Sequence, residues 1–101
     1  MRFEFHVEAL AEYELAARYY AERQQGLEMR FMAAVEQTIH RIQEAPARFL
    51  VVEEDVRRCL TRVFPYAVLY TIEPEYILII AVTHCHREPG YWRHRHKGDA
   101  S

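Results

Sequence analysis

The chain has few of the small and hydroxyl-bearing residues that several common enzyme sites require. Its three glycines are scattered, so no glycine-rich phosphate-binding loop is present. Ser101 is its only serine and the last residue of the sequence, so we expect no Ser-His-Asp site. The sequence therefore gives no support to a nucleotide-binding loop or a serine nucleophile.

Cysteines and long apolar runs are also scarce. Cys59 and Cys85 are the only cysteines and form no C-x-x-C pair, so we interpret them as thiols within strands. No apolar run approaches the roughly 18–20 residues of a membrane span. The glutamates within residues 1–15 do not fit a signal peptide. We expect a cytoplasmic protein that does not contact the membrane.

Lysine is almost absent, since Lys97 is the only one, and the formal net charge is −2. Residues 1–55 carry 11 acids and 6 bases, whereas residues 56–101 carry 7 bases and 4 acids. The second half is therefore the part expected to face anions. Charges scattered over a solvated surface explain the same counts equally well.

Length and composition predict one folded domain over residues 1–101. Half of the residues are apolar and 13% are aromatic, which is enough for one hydrophobic core. Charged residues make up 28%, as in ordinary globular proteins. No repeat, linker or low-complexity segment divides the chain.

Two helices are predicted in the first half. Residues 7–23 are rich in Ala, Glu, Leu and Arg, which favour helix. A second helix is predicted over about residues 27–45, after Gly26 and before Pro46. So short a connection makes the two helices antiparallel neighbours. The apolar face of the first helix is expected to contain Leu10, Tyr13, Ala17 and Tyr20.

Strands flank these helices. Residues 2–6 alternate in polarity, with Phe3 and Phe5 facing inward, and residues 46–55 are expected to form a loop. Three further strands are predicted over residues 56–63, 66–72 and 76–84. The order β-α-α-β-β-β predicts an α+β fold. A helical hairpin packs on one face of a mainly antiparallel sheet of about four strands, and a short C-terminal element follows.

Residues 84–97 concentrate imidazoles, guanidiniums and aromatic rings directly after the most apolar run of the chain. Folding alone does not need so many cationic and aromatic groups together. Phosphate or base recognition, proton transfer and partner docking can all use them.

Two segments carry a family resemblance: RRCLTRVFPYAVLY at residues 57–70 and IAVTHCHREPGYW at residues 80–92. In this order they resemble the Arg-Arg, Phe-Pro-Tyr and Ala-Val-x-His…Arg-x-Pro-x-Tyr-Trp segments of the RelE/ParE superfamily of bacterial type II toxins. These toxins are often labelled plasmid stabilisation proteins. Glu12, Tyr20 and Phe31 also match residues of the helical hairpin in that family.

The resemblance implies a growth-inhibiting toxin that a cognate antitoxin protein neutralises and that needs no cofactor. Contact with promoter DNA is implied only through the antitoxin. ParE-like members interfere with DNA gyrase, whereas RelE-like members enter the ribosome and cut mRNA without a metal.

RNA cleavage needs groups that move protons and stabilise negative charge. Arginine matches phosphate oxygens, and histidine or a perturbed tyrosine transfers protons. If the chain is a nuclease, the resemblance assigns these roles to Arg58, Arg62, His84, Arg87 and Tyr91. We expect these residues to share one exposed hollow, with Arg58 and Arg62 on the same strand face.

Simpler explanations exist for the same residues. Arg58 and Arg62 can form weak surface ion pairs with the acids at residues 53–55, and His84 can bond a backbone carbonyl. The single lysine and the net negative charge suit a ribosome-binding enzyme poorly. We therefore favour a toxin that binds DNA gyrase, with an mRNA endoribonuclease or a non-toxic interaction module as alternatives.

Partner binding is predicted at Leu15 and Tyr19 on the first helix and at Trp92 and Arg93 near the C-terminus. Trp92 serves equally well as an anchor that holds the C-terminal segment over the sheet. The His84/His86 and His94/His96 pairs lack further ligands at a recognised spacing, so we expect no metal site.

Overall fold

The structure, a computed structural model, describes residues 1–96; Lys97 and Ser101 lie outside this range. Strand β1 is Arg2–Phe5, and the helices α1 (Val7–Arg23) and α2 (Leu27–Glu44) follow it. The remaining elements, in chain order, are a 3₁₀ turn at Pro46–Arg48, the strands β2 (Leu50–Glu53), β3 (Val56–Leu60), β4 (Tyr66–Ile72) and β5 (Tyr76–His84), and the short helix α3 (Arg93–His96).

The five strands form one mixed sheet in the order β1-β5-β4-β3-β2. β1 runs parallel to β5, and every other neighbouring pair is antiparallel. The α+β fold class and the helical hairpin are confirmed. The sheet has one strand more than predicted, because residues 46–55 contain β2 instead of only a loop.

Strand β2 escaped prediction because it is an edge strand with little burial. Leu50, Val51 and Val52 are all exposed, so the sequence shows no alternation of polarity there. A register shift between Val51 and Glu53 also interrupts its pairing with β3. Such irregular, short edges are common in natural sheets.

Local interactions define the ends of the helices. The His6 side chain accepts a hydrogen bond from the Glu8 N–H and so caps α1, a role usually taken by Ser, Thr, Asp or Asn. Gly26 has a φ of 83° and links α1 to α2. In α1 the buried positions are Ala9, Tyr13 and Ala16. Leu10, predicted on the buried face, is instead exposed.

The main core lies between the helices and one face of the sheet. Phe31, Val35 and Ile42 of α2 are fully buried against strand residues such as Tyr70 and Ile79. At one end of this core, neighbouring aromatic rings pack at centroid distances of 5.0–6.2 Å, and they belong to Tyr20, Phe31, Phe64 and Tyr66.

A second, smaller core covers the opposite face of the sheet. Trp92 packs there among buried strand residues, which are Val56, Ala67, Leu69, Ile80 and Ala81. An aromatic side chain buries roughly 150–250 Å², which at about 25 cal/mol per Å² corresponds to roughly 4–6 kcal/mol. Residues 85–96, called here the C-terminal segment, therefore cover the face that the helices leave open. Within residues 1–96, neither long helix is apolar enough to cross a bilayer.

Candidate functional site

A pocket of about 200 Å³ opens between the C-terminal segment and the strands beneath it. Four of the five candidate catalytic residues line it: Arg58, His84, Arg87 and Tyr91. Arg58 reaches it from β3, His84 from the end of β5, and the other two from the C-terminal segment. Antiparallel pairing of β3, β4 and β5 brings these chain regions together.

Arg62 is the exception, and the prediction that it shares this hollow is wrong. Strand β3 ends at Leu60, so the alternation that placed Arg58 and Arg62 on one face stops before Arg62. The chain turns at Val63, whose φ is 74°. Arg62 instead lines a different pocket beside helix α2.

Tyr91 is held by interactions that oppose proton transfer. Its hydroxyl donates a hydrogen bond to Glu12 Oε2, and the guanidinium carbon of Arg87 lies 3.8 Å from its ring centroid. Burial, followed by the hydrogen bond to Glu12, raises the pKa of Tyr91 to about 12. A phenol in this state is a poor general base near neutral pH, because almost none of it is ionised.

Glu12 and Arg95 form the centre of this network. Arg95 Nη1 lies 2.8 Å from Glu12 Oε1 and Arg95 Nη2 lies 3.0 Å from Glu12 Oε2, so the pairing is bidentate. Arg95 Nη1 also donates to the Ile80 carbonyl at 3.0 Å, and Glu12 Oε1 accepts the Val82 N–H at 3.0 Å. One carboxylate thus joins helix α1, strand β5 and the C-terminal segment.

Sequence reasoning did not find this pair. The family resemblance drew attention to Glu12, but nothing singled out Arg95 among the cations of residues 84–97. A signal was present on α1, because Glu12 lies beside Tyr13 and one turn from Ala9 and Ala16, the buried positions of that helix. A carboxylate next to a buried face needs a cationic or hydrogen-bonding partner.

Further ion pairs fix helix α3 to two other elements. Arg93 binds Glu53 with Nε–Oε2 and Nη2–Oε1 distances of 2.7 and 2.8 Å. His96 Nε2 lies 2.6 Å from Asp55 Oδ1, and His94 Nε2 lies 2.9 Å from Glu8 Oε1. Within residues 1–96, the acids of residues 53–55 form ion pairs with Arg93 and His96, and none of these pairs involves Arg58 or Arg62, the partners considered from the sequence.

These contacts shift the titration of two carboxyls in the same direction. The hydrogen bond from His94 lowers the pKa of Glu8 below its usual value. The hydrogen bond from Arg93 lowers the pKa of Glu53 in the same way. Both carboxylates are therefore more readily ionised in the folded chain than in the unfolded chain.

His84 is an exposed proton-transfer candidate at the end of β5. Its Nδ1 accepts the His86 N–H at 3.1 Å, and its ring packs edge-on against Tyr66 at a centroid distance of 5.3 Å. Within residues 1–96, no hydrogen bond or ion pair engages its Nε2. In the described part of the chain, no three His, Cys, Asp or Glu side chains are grouped as metal ligands.

The proposed partner-binding residues fall into two groups. Leu15 and Tyr19 are 59% and 48% exposed and line a groove beside Val82 and Arg87. Trp92 is only 6% exposed, so its prediction as a surface contact is wrong and its role is that of an anchor. Arg93 is exposed but already engaged by Glu53.

Comparison with known proteins agrees with this architecture. The sequence model of the family described as "ParE toxin of type II toxin-antitoxin system, parDE" matches residues 3–97. A solved structure described as "Chromosomal ParDE TA system from P. aeruginosa" superposes with a TM-score of 0.71 at 12% identity, covering 83% of this chain and 95% of that one. No curated protein matches the sequence. The resemblance seen in the sequence is confirmed at the level of the family.

Proposed function

The chain belongs to the ParE toxin family of type II toxin-antitoxin systems, and on this premise we propose that it inhibits growth by binding DNA gyrase without any bond chemistry of its own. Membership of a toxin-antitoxin family implies an antitoxin as its protein partner. We place both interactions in the cytoplasm, where gyrase acts.

The observation that carries this proposal is the partly buried network of Glu12, Tyr91 and Arg95. Tyr91 has a pKa raised to about 12, and its hydroxyl donates a hydrogen bond to Glu12. Arg87 lies over the Tyr91 ring and 3.9 Å from Glu12. Groups that a nuclease needs for proton transfer and charge stabilisation are therefore occupied in holding the C-terminal segment in place.

The predicted catalytic residues supply only part of the chemistry of RNA cleavage. Attack by a 2′-hydroxyl requires a group to accept its proton and another to protonate the leaving oxygen. His84 can serve one of these roles, and Arg58 can stabilise charge on the phosphate. Arg62 lies beside α2 and the Tyr91 hydroxyl is bonded to Glu12, so His84 is the one proton-transfer group left free among the five residues predicted for catalysis.

The charge of the chain supports the same choice. Binding to RNA strengthens with each phosphate that a protein neutralises. This chain has a net charge of −2 and one lysine, so its general attraction to ribosomal RNA is weak. A protein target such as gyrase does not need a strongly basic surface.

A ribosome-dependent endoribonuclease remains the second candidate, because Arg58, His84, Arg87 and Tyr91 do line one pocket. Expression from a repressible promoter, followed by mapping of mRNA 5′ ends, separates the two functions. We expect growth arrest with a DNA-damage response and no new ends linked to codon position. New codon-linked ends that disappear in His84→Ala would overturn the proposal.

Matched variants make this experiment decisive. Arg58→Ala and His84→Ala alter exposed pocket residues, whereas Arg18→Ala alters an exposed arginine of α1 outside the pocket. A nuclease loses toxicity in the first two variants and keeps it in the third. A chain that arrests no growth at any expression level is instead a non-toxic interaction module.

A further inference from the structure

Outside the pocket described above, the turn between β3 and β4 has an unusual conformation. The Phe64 N–H donates to the Arg62 carbonyl at 2.8 Å, and Val63 between them has a φ of 74°. These are the features of a positive-φ γ-turn, which is rare and strained. A β-branched residue such as valine is especially unfavourable at positive φ.

Hydrogen bonds and packing hold this turn in place. The Thr61 hydroxyl lies 2.8 Å from the Phe64 carbonyl and 3.1 Å from the Tyr66 carbonyl. The Phe64 ring packs edge-on against Phe31 at a centroid distance of 5.4 Å. Val63 points the other way and is 89% exposed, the highest value among the large apolar residues. The turn therefore presents an apolar side chain to solvent on a rigid support.

Arginines collect beside this exposed valine. Arg62 and Arg41 line a pocket of about 440 Å³ against α2. Arg41 is oriented by donating to the Leu60 carbonyl at 3.0 Å and to Thr38 Oγ1 at 3.2 Å.

These arginines have no carboxylate partner of their own. Within residues 1–96, no ion pair joins Arg41 or Arg62 to an acid. By contrast, every arginine from residue 87 onward is paired with a glutamate. The positive charge beside the turn is thus available to an external anion.

We propose that Arg41, Arg62 and Val63, called here the Arg62 surface, bind an acidic segment of a protein partner. The carboxylates of that segment pair with the arginines, whose forked donors suit them. An apolar side chain next to those carboxylates packs on Val63. Because the turn is already rigid, little conformational freedom is lost on binding.

A protein segment fits this surface better than a nucleic acid does. Glu36 lines the same pocket, and Glu44 lies nearby in ion contact with His40 at 3.4 Å. A long phosphate backbone would be repelled by these acids, whereas a short peptide can place its carboxylates on the arginines alone. Val63 also offers apolar contact that a phosphate chain cannot use.

The test is a titration of ¹⁵N-labelled full-length protein followed by NMR. The probe is a short synthetic peptide in which leucine is flanked by aspartate and glutamate, and its control replaces each acid by the corresponding amide. We expect the acidic peptide alone to shift the backbone signals of Gln37, Arg41, Arg62 and Val63. Arg62→Gln and Val63→Ser should each weaken binding roughly tenfold.

Arg30→Gln provides the matched control, since Arg30 is exposed on the same helix and outside the pocket. It should bind the peptide as the unchanged chain does. Equal shifts with the amide peptide, or unchanged affinity in Arg62→Gln, would overturn the proposal. Larger shifts with a DNA duplex that do not depend on Val63 would make this a nucleic-acid surface instead. Arg30, Arg62 and Val63 are all exposed, so these variants are expected to fold.

Discussion

Glu12 and Arg95, 83 residues apart in the chain, form a bidentate ion pair that connects helix α1 to the end of the described structure. The Arg95 side chain is only 6% exposed and that of Glu12 is 14% exposed, so water screens this pair little. The same Glu12 carboxylate accepts a hydrogen bond from the Tyr91 hydroxyl. The position of the C-terminal segment, and with it the shape of the pocket, depends on this contact.

The first prediction concerns stability. Glu12→Gln removes the bidentate partner of the buried Arg95 charge and leaves it only Glu8, whose Oε1 lies 3.4 Å from Arg95 Nε. We expect a loss of about 2–4 kcal/mol in the free energy of unfolding. Urea denaturation followed by the fluorescence of Trp92, the only tryptophan, measures it. Glu14→Gln, an exposed change on the same helix, should stay within about 0.5 kcal/mol. Equal effects of the two substitutions would contradict a structural role for the pair.

The second prediction concerns the stability of the fold at acidic pH. Glu8 and Glu53 have folded-state pKa values below the usual 4.5, so each stabilises the fold above that pH. Their contribution disappears as the pH falls below 4.5 through the lowered values. We expect the free energy of unfolding, measured at several pH values, to fall less steeply with decreasing pH in the double variant Glu8→Gln/Glu53→Gln than in the double variant Glu14→Gln/Glu22→Gln. Identical declines in both double variants would contradict it.

The third prediction concerns the strained turn. Val63→Gly removes strain of about 1–3 kcal/mol and adds an entropic cost of about 0.5–1 kcal/mol, so we expect a net stabilisation of about 1 kcal/mol. Val63→Ala keeps a Cβ at positive φ and should change stability little. Thermal and urea unfolding of both variants provide the measurement. A glycine variant less stable than the alanine variant would show that the turn is not strained.

The fourth prediction concerns the antitoxin. Leu15 and Tyr19 lie one turn apart on α1 and border a groove, so we expect Leu15→Ser and Tyr19→Ser each to weaken antitoxin binding at least roughly tenfold. Isothermal titration with the cognate antitoxin gives the affinity. Met29→Ser, a change at a similarly exposed apolar residue of α2, should bind normally. Loss of binding in Met29→Ser alone would place the interface on the other helix.

The helices and the central strands were predictable because their signals are local. The α1 range and those of β4 and β5 match the predicted ranges, since helical composition and runs of Val, Ile and Tyr act within one element. Strand β2 was missed because its apolar residues are exposed at an edge, where burial imposes no pattern.

The site was only partly predictable because its decisive contacts join distant parts of the chain. Period-two spacing located Arg58 correctly but failed for Arg62, since the chain leaves the strand at Leu60. The choice of Arg95 over its neighbours as the partner of Glu12 depends on which side of the four-residue helix α3 faces inward. Composition cannot distinguish Arg93, which is exposed, from Arg95, which is buried.

The most direct test of a toxin that binds and does not cut is a supercoiling assay with purified DNA gyrase, relaxed plasmid and ATP. We predict that the purified chain inhibits supercoiling or traps cleaved plasmid in a gyrase-dependent manner. The variants Arg58→Ala and His84→Ala are expected to remain folded during the assay. Unchanged gyrase activity, together with mRNA cleavage on translating ribosomes by the same preparation, would contradict the account.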